Sequence, residues 1–419
     1  MKFGLIGNPL GHSHSPRLHR EFGTGDYTLL QMEEDALAPF LAAREFEGVN
    51  ITIPYKRAVM PLVDELHPTA VECGAVNTVV NRGGKLVAYN TDAFGMLFAL
   101  RTAGIGLAGK SVAVLGSGGT SHTACALARR EGAKSVVVVS RSGQTDYTAI
   151  YGHKDLQVVI NTTPVGMYPN AEASPLDLSR FPALEGVFDA VYNPLNTRLV
   201  QQAKSLGLRV GSGLLMLTAQ AKAAATLFLG GEYAEPSPAD EAGKDILRVY
   251  ATVRRELTNI VLVGMPSSGK SSLGRLVADK LSRPFADTDA LVEANEGKDI
   301  PSIFAAEGEA AFREAESRAV AECSSKGGGV IATGGGAPLS ERNRLNLRSN
   351  GFAVYVRRDT DKLETEGRPL SRDLATLNRM FAERDPVYAA FADVTVDNNG
   401  DLGECANLIT ERFYENSCD

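Results

Sequence analysis

The sequence is short of the features that mark secreted, membrane-spanning or metal-stabilised proteins. Its five cysteines are widely spread, with no C-x-x-C pair and no histidine cluster beside them. Cysteines in this pattern predict reduced thiols in a cytoplasmic protein and argue against a zinc site. No apolar run approaches the roughly 20 residues that a membrane-spanning helix needs. Residues 1–7 resemble a first β-strand rather than a signal peptide, so we expect a cytoplasmic chain.

The composition also lacks an excess of positive charge. There are 43 Lys and Arg residues against 50 Asp and Glu residues, which gives a formal net charge of −7. Such a balance offers no electrostatic footprint for DNA or RNA. The hydrophobic content of 44% and the charged content of 22% are typical of a globular protein. With 419 residues, the chain is too long for one core and predicts roughly two to four domains. We therefore expect a multidomain protein that binds neither nucleic acid nor membranes.

What the chain does contain is a Gly-x-x-x-x-Gly-Lys-Ser loop near its middle. The loop runs from Gly264 to Ser271, after apolar residues 260–263 and before a helix-compatible stretch at 272–281. Glycines in such a loop let backbone N–H groups turn towards phosphate oxygens, and the helix adds its positive N-terminal dipole. Lys270 would reach the β- and γ-phosphates, and the Ser271 hydroxyl would ligate Mg²⁺. A chance glycine-rich turn is the alternative, but the flanking strand and helix favour a nucleoside triphosphate site.

A second glycine-rich loop lies in the first half of the chain, after the apolar strand at 111–115. Its residues are Gly116, Ser117, Gly118, Gly119 and Thr120. A helical run at 121–131, with Gly132 as its cap, and a strand at 135–140 complete a β-α-β unit of about 30 residues, which suits a pyrophosphate at the helix N-terminus. An acidic residue after the second strand would bind the ribose of NAD, but this chain has Ser140, Arg141 and Ser142, which suit the 2′-phosphate of NADP. A tight turn and a solvated arginine are the alternatives.

Polar clusters in residues 1–92 are harder to explain by packing. They occupy loops and strand ends at Ser13, Ser15, Asn50, Thr52, Lys56, Asn77 and Asp92. Asn50 and Thr52 lie on one side of a strand at 49–53, since side chains alternate along it. Converging hydroxyl, amide, ammonium and carboxylate groups are what a polyhydroxylated, anionic small molecule requires. Each cluster by itself is also compatible with ordinary turn chemistry.

These clusters, together with the second glycine-rich loop, resemble the shikimate dehydrogenase family over essentially all of residues 1–256. The similarity extends to the stretches at 161–167, 189–194 and 214–221. The resemblance implies an α/β fold with a substrate-binding domain at 1–92, closed by C-terminal helices at about 213–256. It also implies a Rossmann NADP-binding domain at 93–212. The implied reaction is the NADPH-dependent reduction of 3-dehydroshikimate to shikimate.

The same resemblance implies residue roles. The substrate-binding set is Ser13, Ser15, Thr52, Asn77, Asp92, Tyr192 and Gln220, with the carboxylate at the two serines and Tyr192. The NADP-binding set is Gly116, Ser117, Gly118, Gly119, Thr120, Ser140, Arg141, Ser142, Thr162, Met167 and Gly213. Lys56 and Asp92 form the catalytic pair. Reduction of a ketone develops negative charge on its oxygen, which an ammonium stabilises and can protonate while Asp92 orients the lysine. Family members often have Asn-Arg-Thr in place of Ser140–Ser142.

Residues 258–419 resemble the shikimate kinase family, which implies a P-loop parallel-sheet domain of the nucleoside-monophosphate-kinase type. The implied reaction is the ATP-dependent phosphorylation of shikimate to shikimate 3-phosphate. The ATP-binding set is Gly264, Ser267, Ser268, Gly269, Lys270, Ser271, Ser272 and Arg368. The shikimate-binding set is Asp289, Arg313, Gly335, Gly336 and Arg384, and the Mg²⁺ ligands are Ser271 and Asp287. Asp289 would orient or deprotonate the acceptor hydroxyl, and the arginines would hold a carboxylate. In isolation, Arg313 and Arg384 could equally be surface ion pairs.

One departure concerns the lid of the kinase, where family members carry an Arg-Thr pair that packs on adenine. The corresponding stretch at 361–367 has no arginine. Two alternative functions also stay open, namely a preference for quinate in the dehydrogenase half and a non-catalytic metabolite sensor. The absence of an acidic residue after the second Rossmann strand and the fused kinase argue against quinate. The presence of Lys56, Asp92 and Lys270 argues against a sensor. The sequence therefore predicts a fusion of two consecutive enzymes with NADP(H), ATP and Mg²⁺ as cofactors.

Overall fold

The computed structural model describes residues 2–11, 13–235, 237–363 and 374–416. Contacts along the backbone divide the chain into two compact units. The first comprises residues 1–193 and 202–250, and the second comprises residues 194–201 and 251–419. Two β-sheets belong to the first unit and one to the second.

The first sheet has six strands in the order β2-β1-β3-β5-β6-β4. Its strands are β1 (Phe3–Gly7), β2 (Tyr27–Gln31), β3 (Gly48–Ile51), β4 (Glu65–Leu66), β5 (Thr78–Arg82) and β6 (Lys85–Tyr89). The intervening helices are α1 (Ser15–Glu21), α2 (Glu34–Ala43) and α3 (Pro68–Cys73). β1 pairs in parallel with β2 and β3, whereas β5 is antiparallel to β3 and β6. β1 and β3 are buried along their whole length, as strands covered on both faces are. The two strands predicted here, at 1–7 and at 49–53, are confirmed to within two residues at each end.

The second sheet has five parallel strands in the order β11-β10-β9-β7-β8. Its strands are β7 (Ser111–Leu115), β8 (Ser135–Val139), β9 (Val158–Asn161), β10 (Gly186–Asp189) and β11 (Arg209–Ser212). Its helices are α4 (Thr91–Thr102), α5 (Gly119–Arg130) and α6 (Arg198–Ser205). The predicted β-α-β unit is confirmed, with α5 beginning two residues earlier than expected. The cap of α5 is Glu131 rather than the predicted Gly132, which follows it with φ +77 in the left-handed region that a residue after the cap favours.

Two longer helices, α7 (Gly213–Phe228) and α8 (Glu241–Leu257), follow the second sheet. α7 packs against α4, and their backbones come close together at Gly95. A side chain at that position would run into the carbonyl of Met216 and the backbone of Gln220. This close approach brings Asp92, in the first turn of α4, near Gln220 on α7, which is how the fold starts to assemble the site described below.

The sheet of the second unit has five parallel strands in the order β13-β14-β12-β15-β16. Its strands are β12 (Asn259–Val263), β13 (Phe285–Asp287), β14 (Val330–Ala332), β15 (Gly351–Arg357) and β16 (Val394–Asp397). The helices are α9 (Lys270–Leu281), α10 (Thr288–Glu296), α11 (Ile300–Ser325), α12 (Glu341–Asn350), α13 (Leu374–Phe391) and α14 (Leu402–Asn416). Alternate residues of β12 enter different cores, with Val261 and Val263 on one face and Ile260 and Leu262 on the other. An unbroken apolar run therefore predicts the central strand correctly. Across the described ranges, no helix combines the length and the apolar character that crossing a membrane would require.

A buried histidine gives the first unit a specific dependence on pH. His19 is completely buried, stacks on the Tyr27 ring with centroids 4.0 Å apart, and shares a 2.8 Å hydrogen bond between its Nδ1 and Thr24 Oγ1. Burial lowers the pKa of His19 to about 3 from an ordinary value of 6.5. As the pH falls from 6.5 towards 3, His19 therefore binds a proton in the unfolded chain but not in the folded chain. Stability is lost over that window and is intact above it.

We expect His19→Gln to remove this part of the acid sensitivity. At pH 5 the wild-type chain should have lost about 2 kcal/mol of unfolding free energy through His19 alone. Calorimetric unfolding at pH 7 and pH 5 measures this loss of stability. The variant should show a smaller fall in melting temperature between the two pH values than the wild-type chain. The exposed His122 provides the matched control, because His122→Gln should behave as wild type. Equal falls for wild type and His19→Gln would contradict the assignment.

Candidate functional site

A cavity of about 190 Å³ in the first unit collects every residue predicted to bind or reduce the dehydrogenase substrate. These lining residues are Ser13, Ser15, Thr52, Lys56, Asn77, Asp92, Tyr192 and Gln220. Thr120 and Gly213, from the predicted NADP-binding set, also line it. The residues come from the ends of β1 and β3, from the first turns of α1 and α4, and from α7. The structure thus brings together groups that are up to about 200 residues apart in the chain.

The centre of the cavity is an ion pair between Lys56 and Asp92. Lys56 Nζ donates to Asp92 Oδ2 at 2.5 Å, and the two side chains are 14% and 10% exposed. Asp92 lies in the first turn of α4, where the helix dipole favours a negative charge. The Asn90 side chain caps that helix by accepting from the Ala93 N–H at 3.0 Å. The ammonium is therefore fixed by a carboxylate that is itself held in place.

Asn77 joins the ion pair to the amide on α7. Its Nδ2 donates to Asp92 Oδ1 at 3.0 Å and lies 3.4 Å from Gln220 Oε1. Its Oδ1 accepts from the Thr91 N–H at 2.6 Å. Asn77 is 3% exposed and Gln220 is 7% exposed, so both amides depend on these partners. Together they present polar atoms to whatever occupies the cavity.

Another part of the cavity lining carries hydroxyl groups. The Ser15 N–H donates to Ser13 Oγ at 3.2 Å, which holds the two serines together at the start of α1. Tyr192 contacts the ring of His14 edge-on, with centroids 5.8 Å apart. Burial raises the pKa of Tyr192, so its hydroxyl stays protonated and able to donate. Hydroxyls in this arrangement can bind a carboxylate without a counter-charge.

The glycine-rich loop after β7 leads directly into α5. Gly116 has φ +112, and a side chain there would press on Thr162 Oγ1, which donates to the Leu115 carbonyl at 2.6 Å. Gly118 borders open space, and a side chain at Gly119 would touch the methylenes of Lys56. The Lys56 side chain thus passes beside the N-terminus of α5. An open loop at a helix N-terminus fits the pyrophosphate of a dinucleotide.

The remaining predicted NADP-binding residues lie at the ends of β8 and β9. Arg141 and Ser142 are exposed, and Ser140 is buried, its N–H donating to the Thr145 carbonyl at 3.1 Å. Met167 is 44% exposed, which is unusual for so apolar a side chain. An exposed guanidinium beside hydroxyls at the end of the second strand fits a 2′-phosphate.

The loop after β12 has the geometry of a phosphate cradle. Gly264, Ser267 and Gly269 have φ values of +148, +62 and +92, which turn successive backbone N–H groups towards one side. Lys270 begins α9 and donates to the carbonyls of Gly264 and Met265 at 3.0 and 2.7 Å. These bonds keep a buried ammonium inside the loop, as a nucleoside triphosphate site requires.

The predicted magnesium ligands are in contact with each other. Ser271 Oγ donates to Asp287 Oδ2 at 2.5 Å, and Asp287 Oδ1 accepts from the Asp289 N–H at 3.0 Å. Within the described ranges, no group of three or more His, Cys, Asp or Glu side chains could hold a metal ion. One hydroxyl and one carboxylate suit Mg²⁺, which keeps several waters and takes its other ligands from phosphate.

The glycine run after β14 makes room for the predicted shikimate-binding residues. A side chain at Gly334 would collide with Asp289 and Glu316, and one at Gly336 would collide with the Arg313 guanidinium. Asp289, Arg313 and the glycines 335 and 336 are therefore brought together. Arg368 lies outside the described residues.

The structure also adds two residues that the sequence prediction did not assign. Glu316 is 1% exposed, and its Oε2 accepts from Arg313 Nη1 at 3.0 Å. Burial raises the pKa of Glu316, while the positive charges of Arg313 and Arg384 oppose that rise. Tyr388 donates to the Gly335 carbonyl at 2.5 Å. Residues three apart on a helix are neighbours on its surface, so the spacing of Arg313 and Glu316 could have predicted their ion pair.

The folds and the two sites define a dinucleotide-dependent reductase joined to a P-loop phosphotransferase. Residues 5–79 match the family model for the shikimate dehydrogenase substrate binding domain, and residues 266–413 match the model for shikimate kinase. The shikimate dehydrogenase (NADP(+)) of Symbiobacterium thermophilum is 36% identical over 261 residues, which cover 54% of this chain and 88% of that relative. The chain belongs to the shikimate dehydrogenase family and carries a shikimate kinase domain after it.

Solved structures resemble the dehydrogenase part. A chorismate mutase/shikimate 5-dehydrogenase fusion protein from Clostridium acetobutylicum aligns with a TM-score of 0.55 and 28% identity, over 60% of this chain and 96% of that one. Shikimate 5-dehydrogenase from Thermus thermophilus, in complex with NADP(H) and shikimate, aligns with a TM-score of 0.51 and 34% identity, over 59% and 99%.

The comparisons confirm the main predictions from the sequence. The chain is a bifunctional α/β enzyme of two consecutive steps of the shikimate pathway, with NADP for the first and ATP with Mg²⁺ for the second. Its substrates are small molecules. The roles of individual residues stay predictions, and so do the domain boundaries.

We expect Glu316→Gln to weaken shikimate binding by the kinase, because Arg313 would lose its buried anionic partner. A hydrogen bond between charged groups is worth about 1.5–3 kcal/mol, so KM for shikimate should rise about tenfold or more. The KM for ATP should not change. Glu309→Gln is the matched control, since Glu309 contacts the same guanidinium at 3.1 Å but is 58% exposed. Steady-state kinase kinetics would contradict this role if both variants behaved alike.

Proposed function

We propose that Lys56 and Asp92 carry out the proton chemistry of ketone reduction in 3-dehydroshikimate. The observation that carries this proposal is their 2.5 Å ion pair in the cavity, beside the N-terminus of α5. NADPH, when bound, supplies the hydride. The Lys56 ammonium stabilises the negative charge that develops on the ketone oxygen and donates the proton to it. Asp92 holds the ammonium directed at that oxygen.

The rest of the cavity holds the substrate. Ser13, Ser15 and Tyr192 bind the carboxylate, because they supply hydroxyl donors on one wall of the cavity. Asn77 and Gln220 bind ring hydroxyls, and Thr52 lines the same cavity. These hydroxyl and amide groups are neutral. Lys56 is therefore the cation that stabilises the negative charge developing on the ketone oxygen.

The NADP-binding residues act at two places along the second sheet. The open loop of Gly116 to Thr120 receives the pyrophosphate at the N-terminus of α5. Arg141, with Ser140 and Ser142, binds the 2′-phosphate, and Thr162, Met167 and Gly213 line the nicotinamide side. The exposed guanidinium at the end of β8 supports this assignment.

In the kinase, the loop of Gly264 to Ser272 binds the phosphates of ATP. Lys270 offsets the charge of the β- and γ-phosphates, and Ser271 and Asp287 hold Mg²⁺, which when bound neutralises phosphate oxygens. Asp289 orients the acceptor hydroxyl of shikimate and takes its proton. Arg313 and Arg384 bind the carboxylate, with Gly335 and Gly336 giving room for it. Arg368 contacts the phosphates, by resemblance to the family.

We also propose the domain boundaries expected from the sequence: a substrate domain at 1–92 closed by helices at about 213–256, an NADP domain at 93–212 and a kinase domain at 258–419. One sheet lies in each of these ranges, which supports the division. A cytoplasmic location fits the cysteines, because the four within the described residues are buried and unpaired. Burial raises the pKa of Cys73 to about 12 and that of Cys323 to about 11, which keeps both thiols unreactive.

We expect Lys56→Ala and Lys270→Ala to separate the two activities. Loss of a general acid typically lowers a rate by about 10²–10⁴-fold, so Lys56→Ala should abolish most reduction and spare phosphorylation. Lys270→Ala should do the reverse. A coupled assay with 3-dehydroshikimate, NADPH, ATP and Mg²⁺, following NADPH absorbance and identifying products by mass, measures both steps. Loss of both activities in either variant would show that the two sites are not independent.

We expect Arg141→Ala to reduce the preference for NADPH over NADH. Removing a charge-assisted contact to a phosphate should lower kcat/KM for NADPH about tenfold or more, while the value for NADH stays unchanged. Arg129→Ala is the control, because Arg129 is an exposed arginine in the last turn of α5. An unchanged ratio of the two kcat/KM values would remove Arg141 from the cofactor site.

A further inference from the structure

A continuous chain of hydrogen bonds runs along the wall of the dehydrogenase cavity, where Asn50 and Asn77 are lining residues, and ends on Asp92. It begins at Tyr27 on the edge strand β2, whose hydroxyl donates to Asn50 Oδ1 at 2.8 Å. Asn50 Nδ2 donates to Thr78 Oγ1 at 3.0 Å. The Thr78 hydroxyl donates to Asn77 Oδ1 at 3.1 Å, and Asn77 Nδ2 donates to Asp92 Oδ1 at 3.0 Å. Asn50, Asn77 and Thr78 are each at most 4% exposed, so water does not substitute for these partners.

Tyr27 fixes the Asn50 amide together with the Asn77 carbonyl, which accepts from Asn50 Nδ2 at 3.2 Å. Because the Tyr27 hydroxyl donates to Asn50, the oxygen of that amide must face Tyr27. The NH₂ group of Asn50 then faces Thr78 and donates to it. Thr78, having accepted, donates onwards to Asn77. Asn77 then presents its NH₂ group, rather than its oxygen, to the negatively charged Asp92. An amide turned the other way would place two acceptors against each other.

Tyr27 also lies next to the substrate-binding serine. Burial raises the pKa of the Tyr27 hydroxyl well above its usual value, and a hydrogen bond with Ser15 opposes that rise. The tyrosine ring is held by stacking on His19, at 4.0 Å between centroids, and His19 stacks on Phe228 at 5.7 Å. The stacked rings therefore hold the Tyr27 hydroxyl at the start of the amide chain that reaches Asp92.

We propose that Tyr27, acting through Asn50, is a positioning residue of the dehydrogenase site that orients Asn77 for substrate binding. Tyr27 itself does not line the cavity. Its effect is partial, because the Thr91 N–H is a second donor to Asn77 Oδ1 at 2.6 Å and limits how far that amide can turn. The inference rests on the proposed function of the cavity residues.

The test is Tyr27→Phe, which removes the hydroxyl and keeps the ring that stacks on His19. Oxidation of shikimate by NADP⁺ is followed by absorbance. Loss of a neutral hydrogen bond should raise KM for shikimate about five- to tenfold, with KM for NADP⁺ unchanged. Kinase activity of the same preparation serves as the internal measure of intact protein. A variant that was only destabilised would lose turnover without this selective change in KM.

Tyr151→Phe is the matched control. The Tyr151 hydroxyl accepts from the Asp177 N–H at 2.9 Å in the same unit, and Tyr151 does not line the cavity, so both KM values should equal those of wild type. A double-mutant cycle with Asn50→Ala then tests the route. If Tyr27 acts through Asn50, adding Tyr27→Phe to Asn50→Ala should raise KM by less than it does in the wild-type chain.

The outcomes of these measurements decide whether Tyr27 is a positioning residue. An unchanged KM for shikimate in folded Tyr27→Phe would overturn the inference, and so would effects that simply multiply in the double variant. A selective rise in KM, smaller in the Asn50→Ala background, supports it. If Asn50→Ala does not fold, the comparison of Tyr27→Phe with Tyr151→Phe decides alone. A wild-type chain that does not oxidise shikimate would instead refute the proposed function.

Discussion

Both catalytic halves depend on one constraint, namely that a parallel strand must turn into a helix whose first N–H groups have no partner within the helix. β7 leads through glycines into α5, and β12 leads through glycines into α9. The unpaired N–H groups at each turn are the natural place for phosphate oxygens, because the helix dipole adds a positive potential there. Buried apolar strands and phosphate-binding turns are thus parts of one arrangement. The nucleotides can bind only at the carboxyl edge of each sheet.

The two ion pairs at the candidate substrate sites follow a different principle. Lys56 with Asp92, and Arg313 with Glu316, are ion pairs with at least one well-buried member. Removing charges from water is unfavourable unless every remaining polar atom has a partner. Asn77 and Thr91 meet this need around Asp92. The dense polar shell of the dehydrogenase cavity is therefore needed to bury the Lys56–Asp92 ion pair, whatever the substrate requires.

Much of this was accessible from the sequence because the relevant patterns are local. The strands around both glycine-rich loops were predicted within one residue. Lys270 was assigned from its loop motif, and Lys56, Asp92 and Asp287 were assigned from the resemblance to the two families. Glu316 and Tyr27 were not. Neither belongs to a loop motif, and each acquires a role only through a neighbour, Arg313 for one and Asn50 for the other. Gly132 was misplaced by one residue, because the end of a helix depends on which carbonyls the next residues satisfy.

The sequence by itself determined the two nucleotide-binding turns, the strands before them and the types of side chain available for chemistry, since these depend on periodicity and on spacing over about ten residues. Only the tertiary structure decided which polar groups meet. Asn77 and Gln220 are 143 residues apart in the chain and approach because α4 packs closely against α7 at Gly95. The hydrogen-bond directions from Tyr27 to Asp92 were decided in the same way. Tertiary packing decides which acceptors each buried donor can reach, and no local pattern encodes that choice.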